Sequence, residues 1–169
     1  MSFEQLAHAR FSVRSFAPTP VEAEKKAALL EAARVAPTAC NYQPVKIRVF
    51  ETAEELEKLD LCSPCRFGAP LAFLMCYDKT VCWQPTPDED KGSGTMDASI
   101  AATHVLLQAA DLGVGSCWVG MFDPAKIREE FALPENVVPV ALIPLGYPAV
   151  DCVPHDFHTT TKDLSALLV

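Results

Sequence analysis

The sequence predicts an α+β fold in which helices pack around a sheet, and three observations carry that prediction. From Asp97 to Leu112 the apolar residues Ala98, Ala101, Ala102, Val105, Leu106, Ala109 and Leu112 recur at helical spacing. The stretch LAFLMCY, residues 71 to 77, is apolar without alternation, as in a strand covered on both faces. A capping residue followed by proline stands ahead of two further periodic segments, at Thr19-Pro20 and Asp123-Pro124. With 169 residues the chain reads as one domain, residues 1 to 169, large enough for its own core. The residues leave the strand order open.

Taken in order, an N-terminal helix leads into RFSVRSF, residues 10 to 16. Thr19 as N-cap, Pro20 at the first helical position and Glu22 at the third predict a helix to about Val35, burying Leu29, Leu30, Ala33 and Ala36. Pro37 ends it. Lys46-Ile47-Arg48-Val49-Phe50 alternates as a strand with Ile47 and Val49 inward, and AEELEKLDL follows as a short helix. On the helix over 97 to 112, Asp97, His104, Gln108 and Asp111 are assigned to a polar face. Gly113 and Gly115 release the chain into SCWVG, read as a buried strand. Asp123-Pro124 opens a helix with Ile127 and Phe131 on one side, ending before Pro134. VVPVALIPLGYP is the last strand, restricted by Pro139 and Pro144 to edge pairing or bulges over part of its length. The tail from Val150 to Thr161 is irregular and DLSALLV closes as a short helix. Phe3, Leu6, Leu164, Leu167 and Leu168 are apolar residues near the two ends, which a partner subunit would cover.

Charge narrows the partners. A formal net charge of −8 and a pI near 4.9, with no cluster of lysine or arginine, repel a nucleic-acid backbone and an anionic membrane surface. No apolar run reaches the roughly 18 residues of a membrane span, and MSFEQLAHARF lacks the apolar core of a secretion signal. Seven cysteines, an odd number, then read as reduced thiols of a cytoplasmic protein. Cys62-Ser-Pro-Cys65 alone has the spacing of a metal half-site or a redox dithiol.

Catalytic side chains are scarce. The chain has no GxSxG, HExxH, GxxxxGK[ST] or GxGxxG motif, and His104, His155 and His158 stand without an evident nucleophile or orienting partner, so they are assigned structural roles. Catalysis would then be carried by a cofactor. Two segments could hold one. In an extended RFSVRSF, Arg10, Ser12 and Arg14 fall on one side, two cations flanking a hydroxyl, which suits a phosphate; the same pattern also fits a solvated surface strand. APTACNYQP, residues 36 to 44, combines small residues with Asn41 and Gln43 between prolines, which suits the edge of a flat heterocycle or an ordinary turn.

RFSVRSF, the proline-capped helix, APTACNYQP, FGAPLAFLMCYDKTVCW and the long block from Asp97 to Pro148, in this order, closely resemble the nitroreductase family of FMN-dependent oxidoreductases. The resemblance runs from about Phe3 to Pro148. It implies an α+β sandwich, with a central, mostly antiparallel sheet flanked by helices, in an intertwined homodimer that holds FMN at the subunit interface. It implies that Arg10, Phe11, Ser12 and Arg14 hold the phosphate and ribityl chain. Pro37, Thr38, Ala39 and Asn41 of the other subunit would line the ring, and Cys117, Trp118, Val119 and Gly120 would lie beside it. Lys162 would help bind the phosphate. Three positions depart from the family: Val45 stands where tryptophan commonly follows Gln-Pro, CSPCRF replaces polar contacts to the ring, and the C-terminal basic pair is reduced to Lys162. These departures predict weaker FMN binding than is usual in the family.

The activity implied is a ping-pong transfer of hydride from NAD(P)H through FMN to a small acceptor such as a nitroaromatic or a quinone, with no side-chain base and no metal. The alternatives are a flavin enzyme fed by another electron donor, an FMN-binding module without turnover, and a thiol or metal sensor using Cys62 and Cys65.

Overall fold

The structure, a computed structural model, describes residues 1–85 and 92–169. Its frame is a four-stranded sheet of β1 (Val45–Phe50), β2 (Leu71–Asp78), β3 (Gly115–Ser116) and β4 (Val137–Gly146), in the order β1-β2-β4-β3, with every ladder antiparallel. Five α-helices accompany it among the described residues: α1 (Phe3–Ala9), α2 (Ala23–Arg34), α3 (Ala53–Cys62), α4 (Gly94–Asp111) and α5 (Pro124–Glu130). The expected α+β sandwich is what forms.

The non-alternating β2 is the reason for the layers. Leu71, Phe73 and Met75 point to one face, where they meet Leu29 and Ala33 of α2 and Ala101, Ala102 and Val105 of α4. Ala72, Leu74 and Cys76 point to the other, against Leu59 of α3 and Ile127 of α5. Burying a large apolar side chain contributes about 1.5–3 kcal/mol, so a strand buried from Leu71 to Cys76 ties both layers together. In β1, Ile47 and Val49 turn inward as expected, while Phe50 is wholly buried on the opposite face against Phe131, ring centroids 4.6 Å apart.

Several expectations need correction. The second helix starts at Ala23 with Glu22 as its cap residue, three positions later than Thr19-Pro20 suggests. The Glu22 carboxylate makes no capping bond; it accepts from the Tyr147 hydroxyl, which in turn accepts from Lys25 Nζ at 2.7 Å. The chain from Ala17 to Val21 is thereby drawn toward the end of β4, with Ala17 N–H donating to Tyr147 O at 2.8 Å. The helix over Asp97–Leu112 begins earlier, at Gly94, and Asp97 is buried, not on a polar face. Its carboxylate accepts from Ser93 Oγ at 2.7 Å and from Ala39 N–H at 2.9 Å, so a position that periodicity assigns to solvent is an internal tie.

Of SCWVG only Ser116 lies in a strand, the two-residue Gly115–Ser116, which a single bridge between Val119 and Leu142 continues. Nor does β4 lie at an edge despite its prolines. A register shift opposite Met75 and Cys76 accommodates Pro139. Pro144 O accepts from Cys117 N–H at 3.4 Å, and in an antiparallel strand a residue's N and O face the same neighbour. The missing N–H of Pro144 therefore lies on the sparsely paired β3 side. The tail forms single 3₁₀ turns at Asp156–Thr159 and Leu164–Leu167, and Phe3, Leu164, Leu167 and Leu168 are exposed.

Two substitutions test this packing. A Cβ at Gly146 would lie 2.7 Å from Pro70 Cδ and 3.1 Å from Phe16 Cδ1, so Gly146→Ala is expected to destabilise by about 1–3 kcal/mol, read as a lower denaturant midpoint. Asp97→Ala strands the Ala39 N–H and the Ser93 hydroxyl, at a cost of about 1–3 kcal/mol. Hydrogen exchange at the Ala39 amide should accelerate in that variant, and unchanged exchange would show that the tie does not hold the loop.

Candidate cofactor site

Three short segments supply the residues that the sequence singles out. The first follows α1, where Arg10 takes extended dihedrals of φ −64° and ψ 124° and the chain leaves as a strand-like run. Ser12 forms a parallel bridge with Ser116, and Val13 N–H donates to Ser116 O at 3.0 Å. Gly115 is needed for this approach, since a Cβ there would stand 2.8 Å from Val13 Cγ2. Val13 is buried, so the alternation of an extended chain turns Ser12 and Arg14 the other way. Arg10, Phe11, Ser12 and Arg14 line one cavity of about 520 Å³, whose remaining wall is His155, Phe157 and His158.

The charge in this cavity is unspent. Lys25, Lys26, Arg34, Arg48, Lys58 and Arg66 each stand within ion-pair distance of a carboxylate. Among the described residues Arg10 and Arg14 have no such partner; Arg14 Nη1 reaches only Ser12 O, at 3.4 Å. In a chain of net charge −8, two unpaired guanidinium groups beside a hydroxyl favour a bound dianion.

The second segment is Cys117-Trp118-Val119-Gly120, set beside the first by the Ser12–Ser116 bridge. Val119 exchanges both backbone hydrogen bonds with Leu142, each at 2.9 Å. Its neighbours face away from β4, and among the described residues the N–H groups of Trp118 and Gly120 find no protein acceptor. No heavy atom lies within 4 Å of the place where a Cβ on Gly120 would sit. Burial pushes the Cys117 thiol up, against the opposing pull of Arg14, of a hydrogen bond with Ser12, and of Arg10. Burial thus disfavours the thiolate form of Cys117 beside the basic cavity.

The third segment, residues 36 to 44, carries three non-glycine residues in the left-handed region: Cys40 at φ 50°, Asn41 at 57° and Gln43 at 52°. Such conformations persist where surrounding bonds fix them. Here Asp97 holds Ala39 N–H, Thr38 Oγ1 accepts from Gln43 N–H at 3.0 Å, and Asn41 Oδ1 accepts from Gln43 Nε2 at 3.1 Å. Thr38 lines a separate cavity of about 220 Å³ with Leu30, Ala33 and Ile47. None of Pro37, Thr38, Ala39 or Asn41 lines the Arg10–Arg14 cavity of the same chain, and neither does the exposed Lys162.

These groups fit FMN. The guanidinium and hydroxyl donors match a phosphate, the free amides of Trp118 and Gly120 match acceptors on a ring edge, and the absent Gly120 Cβ leaves space for a flat face. Cys62 and Cys65 do not make a comparable centre. Cys62 is the last residue of α3 and its Sγ donates to Lys58 O at 3.4 Å, while Cys65 Sγ lies 3.9 Å from Met121 Sδ. Burial pushes the Cys62 thiol up, the opposite of an activated redox thiol. Sequence reasoning missed the wall formed by His155, Phe157 and His158; the one signal was aromatic and imidazole rings gathered in HDFH within an otherwise irregular tail.

Comparison with known proteins agrees with this geometry. The model of the nitroreductase family matches residues 7–63 and 60–147. A nitroreductase family protein from Clostridium difficile 630 superposes with a TM-score of 0.91 at 38% identity, covering 100% of this chain and 98% of that one. A protein of Methanothermobacter thermautotrophicus, provisionally named NADH dehydrogenase/NAD(P)H nitroreductase, is 34% identical over 149 residues, 83% of this chain and 74% of its own length. A nitroreductase with bound FMN from Bacteroides fragilis NCTC 9343 shares the fold at a TM-score of 0.80 and 22% identity, over 96% of this chain and 95% of that one. The chain belongs to the nitroreductase family.

Proposed function

We propose that the chain is an FMN-dependent oxidoreductase that takes NAD(P)H as reductant and passes electrons to a small acceptor, a nitroaromatic, a quinone or a similar compound. The observation that carries this reading is the cavity in which Arg10 and Arg14 stand unpaired beside Ser12, next to the free amides of Trp118 and Gly120. The names of the archaeal relative and of the FMN-bound structural neighbour support the same cofactor and reductant.

FMN, when bound, supplies the two-electron chemistry, accepting hydride from NAD(P)H and delivering it onward. The chain supplies position and charge. Arg10, Ser12 and Arg14 fix the phosphate and so set the register of the ring. The free Trp118 and Gly120 amides would present hydrogen-bond donors to the ring edge, where fixed donors would favour added negative charge. No proton acceptor of the protein is needed for hydride transfer.

The working unit is a homodimer. Phe3, Leu164, Leu167 and Leu168 each expose 70% or more of their surface, and a second copy is the simplest cover for such side chains. The loop from Pro37 to Asn41 is rigidly held yet apart from its own chain's phosphate cavity, so it serves the site of the partner. Among the described residues no helix is long and apolar enough to cross a membrane, and seven free thiols accord with a cytoplasmic setting.

Two measurements check this. The purified protein, after addition of FMN, is expected to retain one flavin per chain and to bleach near 450 nm when NADH or NADPH is added anaerobically; a flavin that stays oxidised with both nucleotides points to another electron donor. Replacing Arg10 and Arg14 by alanine removes charged hydrogen-bond donors worth about 1.5–3 kcal/mol each. FMN affinity should fall by roughly 10- to 100-fold per arginine, and Cys62→Ser with Cys65→Ser should leave flavin reduction intact.

A further inference from the structure

The wall opposite the arginines is made by a part of the chain to which the resemblance assigns nothing. His155, Phe157 and His158 all belong to the turn Asp156–Thr159 or its cap, and all line the 520 Å³ cavity together with Arg10, Phe11, Ser12 and Arg14. The turn is built to hold the two rings. His155 Nδ1 accepts from Phe157 N–H at 3.2 Å, and His158 N–H donates to His155 O at 2.8 Å. Nδ1 is taken up as an acceptor by this bond, which leaves Nε2 as the ring nitrogen available to donate. The His158 ring stands edge-on to Phe11, centroids 6.0 Å apart with planes at 65°, which seats it against the residue between the two phosphate-side groups Arg10 and Ser12.

We propose that His155 and His158 form the second half of the phosphate site, donating ring N–H bonds to the FMN phosphate that Arg10, Ser12 and Arg14 hold from the other side. This rests on the assignment of FMN to the cavity. A phosphate offers more acceptor positions than two arginines and one hydroxyl fill, and among the described residues the cavity's further nitrogen donors on side chains are those of His155 and His158. The role that the resemblance gives to Lys162 thereby passes to this turn, since Lys162 does not line the cavity. Specificity follows: the histidines recognise the phosphate ester and are indifferent to a flavin that lacks it.

The test compares FMN with riboflavin, whose only missing part is the phosphate. His155→Asn keeps an acceptor for the Phe157 amide and removes the distal nitrogen, while His158→Phe keeps a ring against Phe11 and removes the donors. In the full-length protein carrying both changes, with an unchanged unfolding midpoint, FMN affinity measured by flavin fluorescence quenching is expected to fall by roughly tenfold or more. Riboflavin affinity should stay within about twofold of the parent. An unchanged ratio of FMN to riboflavin affinity overturns the proposal, whether both affinities hold or both fall together. If the parent protein itself binds neither flavin, the assignment of FMN is what fails, and the proposal goes with it.

Discussion

The structure depends on one backbone contact between distant parts of the chain, the pairing of Ser12 and Val13 with Ser116. A parallel bridge and a single hydrogen bond, Val13 N–H to Ser116 O at 3.0 Å, dock the segment after α1 onto β3. The contact is close because Gly115 has no side chain, and it is directional because Val13 is buried beneath it. Everything else in the site inherits that geometry. With Val13 turned in, Ser12 and Arg14 turn toward the cavity, and the segment that carries them lies alongside Cys117–Gly120. Two unpaired guanidinium groups and two free backbone amides, separated by about a hundred residues of sequence, become neighbours.

The sheet makes that contact possible and rigid. β3 is too short to be stable alone, but it is hydrogen-bonded to β4, and β4 to β2, the strand with both faces buried. The line of support therefore runs from the core outward: β2, β4, β3, then the N-terminal segment. Pro144 sets where it ends, because its missing N–H limits pairing on the β3 side and leaves the chain beyond Ser116 held only at Cys117 and Val119. Because Cys117 and Val119 face β4, the amides of Trp118 and Gly120 point to the opposite side, where among the described residues no strand continues to take them.

How much of this could be read from the residues differs by kind of signal. Helical spacing from Ala98 to Leu112 and the unbroken apolar run from Leu71 to Tyr77 identify the core helix and the central strand β2, because both patterns are set by burial. Periodicity fails where a polar residue is bonded inside. Helical spacing puts Asp97 toward solvent because it carries no information about Ala39, 58 residues away, whose N–H donates to the Asp97 carboxylate. Glu22 looked like part of a cap box, but its carboxylate is committed to Tyr147, 125 residues away. The prolines of β4 suggested an edge, and only the register shift and the direction in which Pro144 faces explain why an interior strand tolerates them. In the site, the regular spacing of Arg10, Ser12 and Arg14 was visible. His155 and His158 were not, because an irregular tail has no period from which a facing direction can be read.

A crystal structure of the protein grown with FMN tests most directly whether the first arginines grip the phosphate of a flavin lying against the Cys117–Gly120 edge. A phosphate is expected within about 3 Å of the guanidinium groups of Arg10 and Arg14 and of the Ser12 hydroxyl, with the ring beside Gly120 and residues 37–41 of a second copy across it. A flavin bound elsewhere, or arginines directed into solvent while the ring occupies another groove, would contradict this placement.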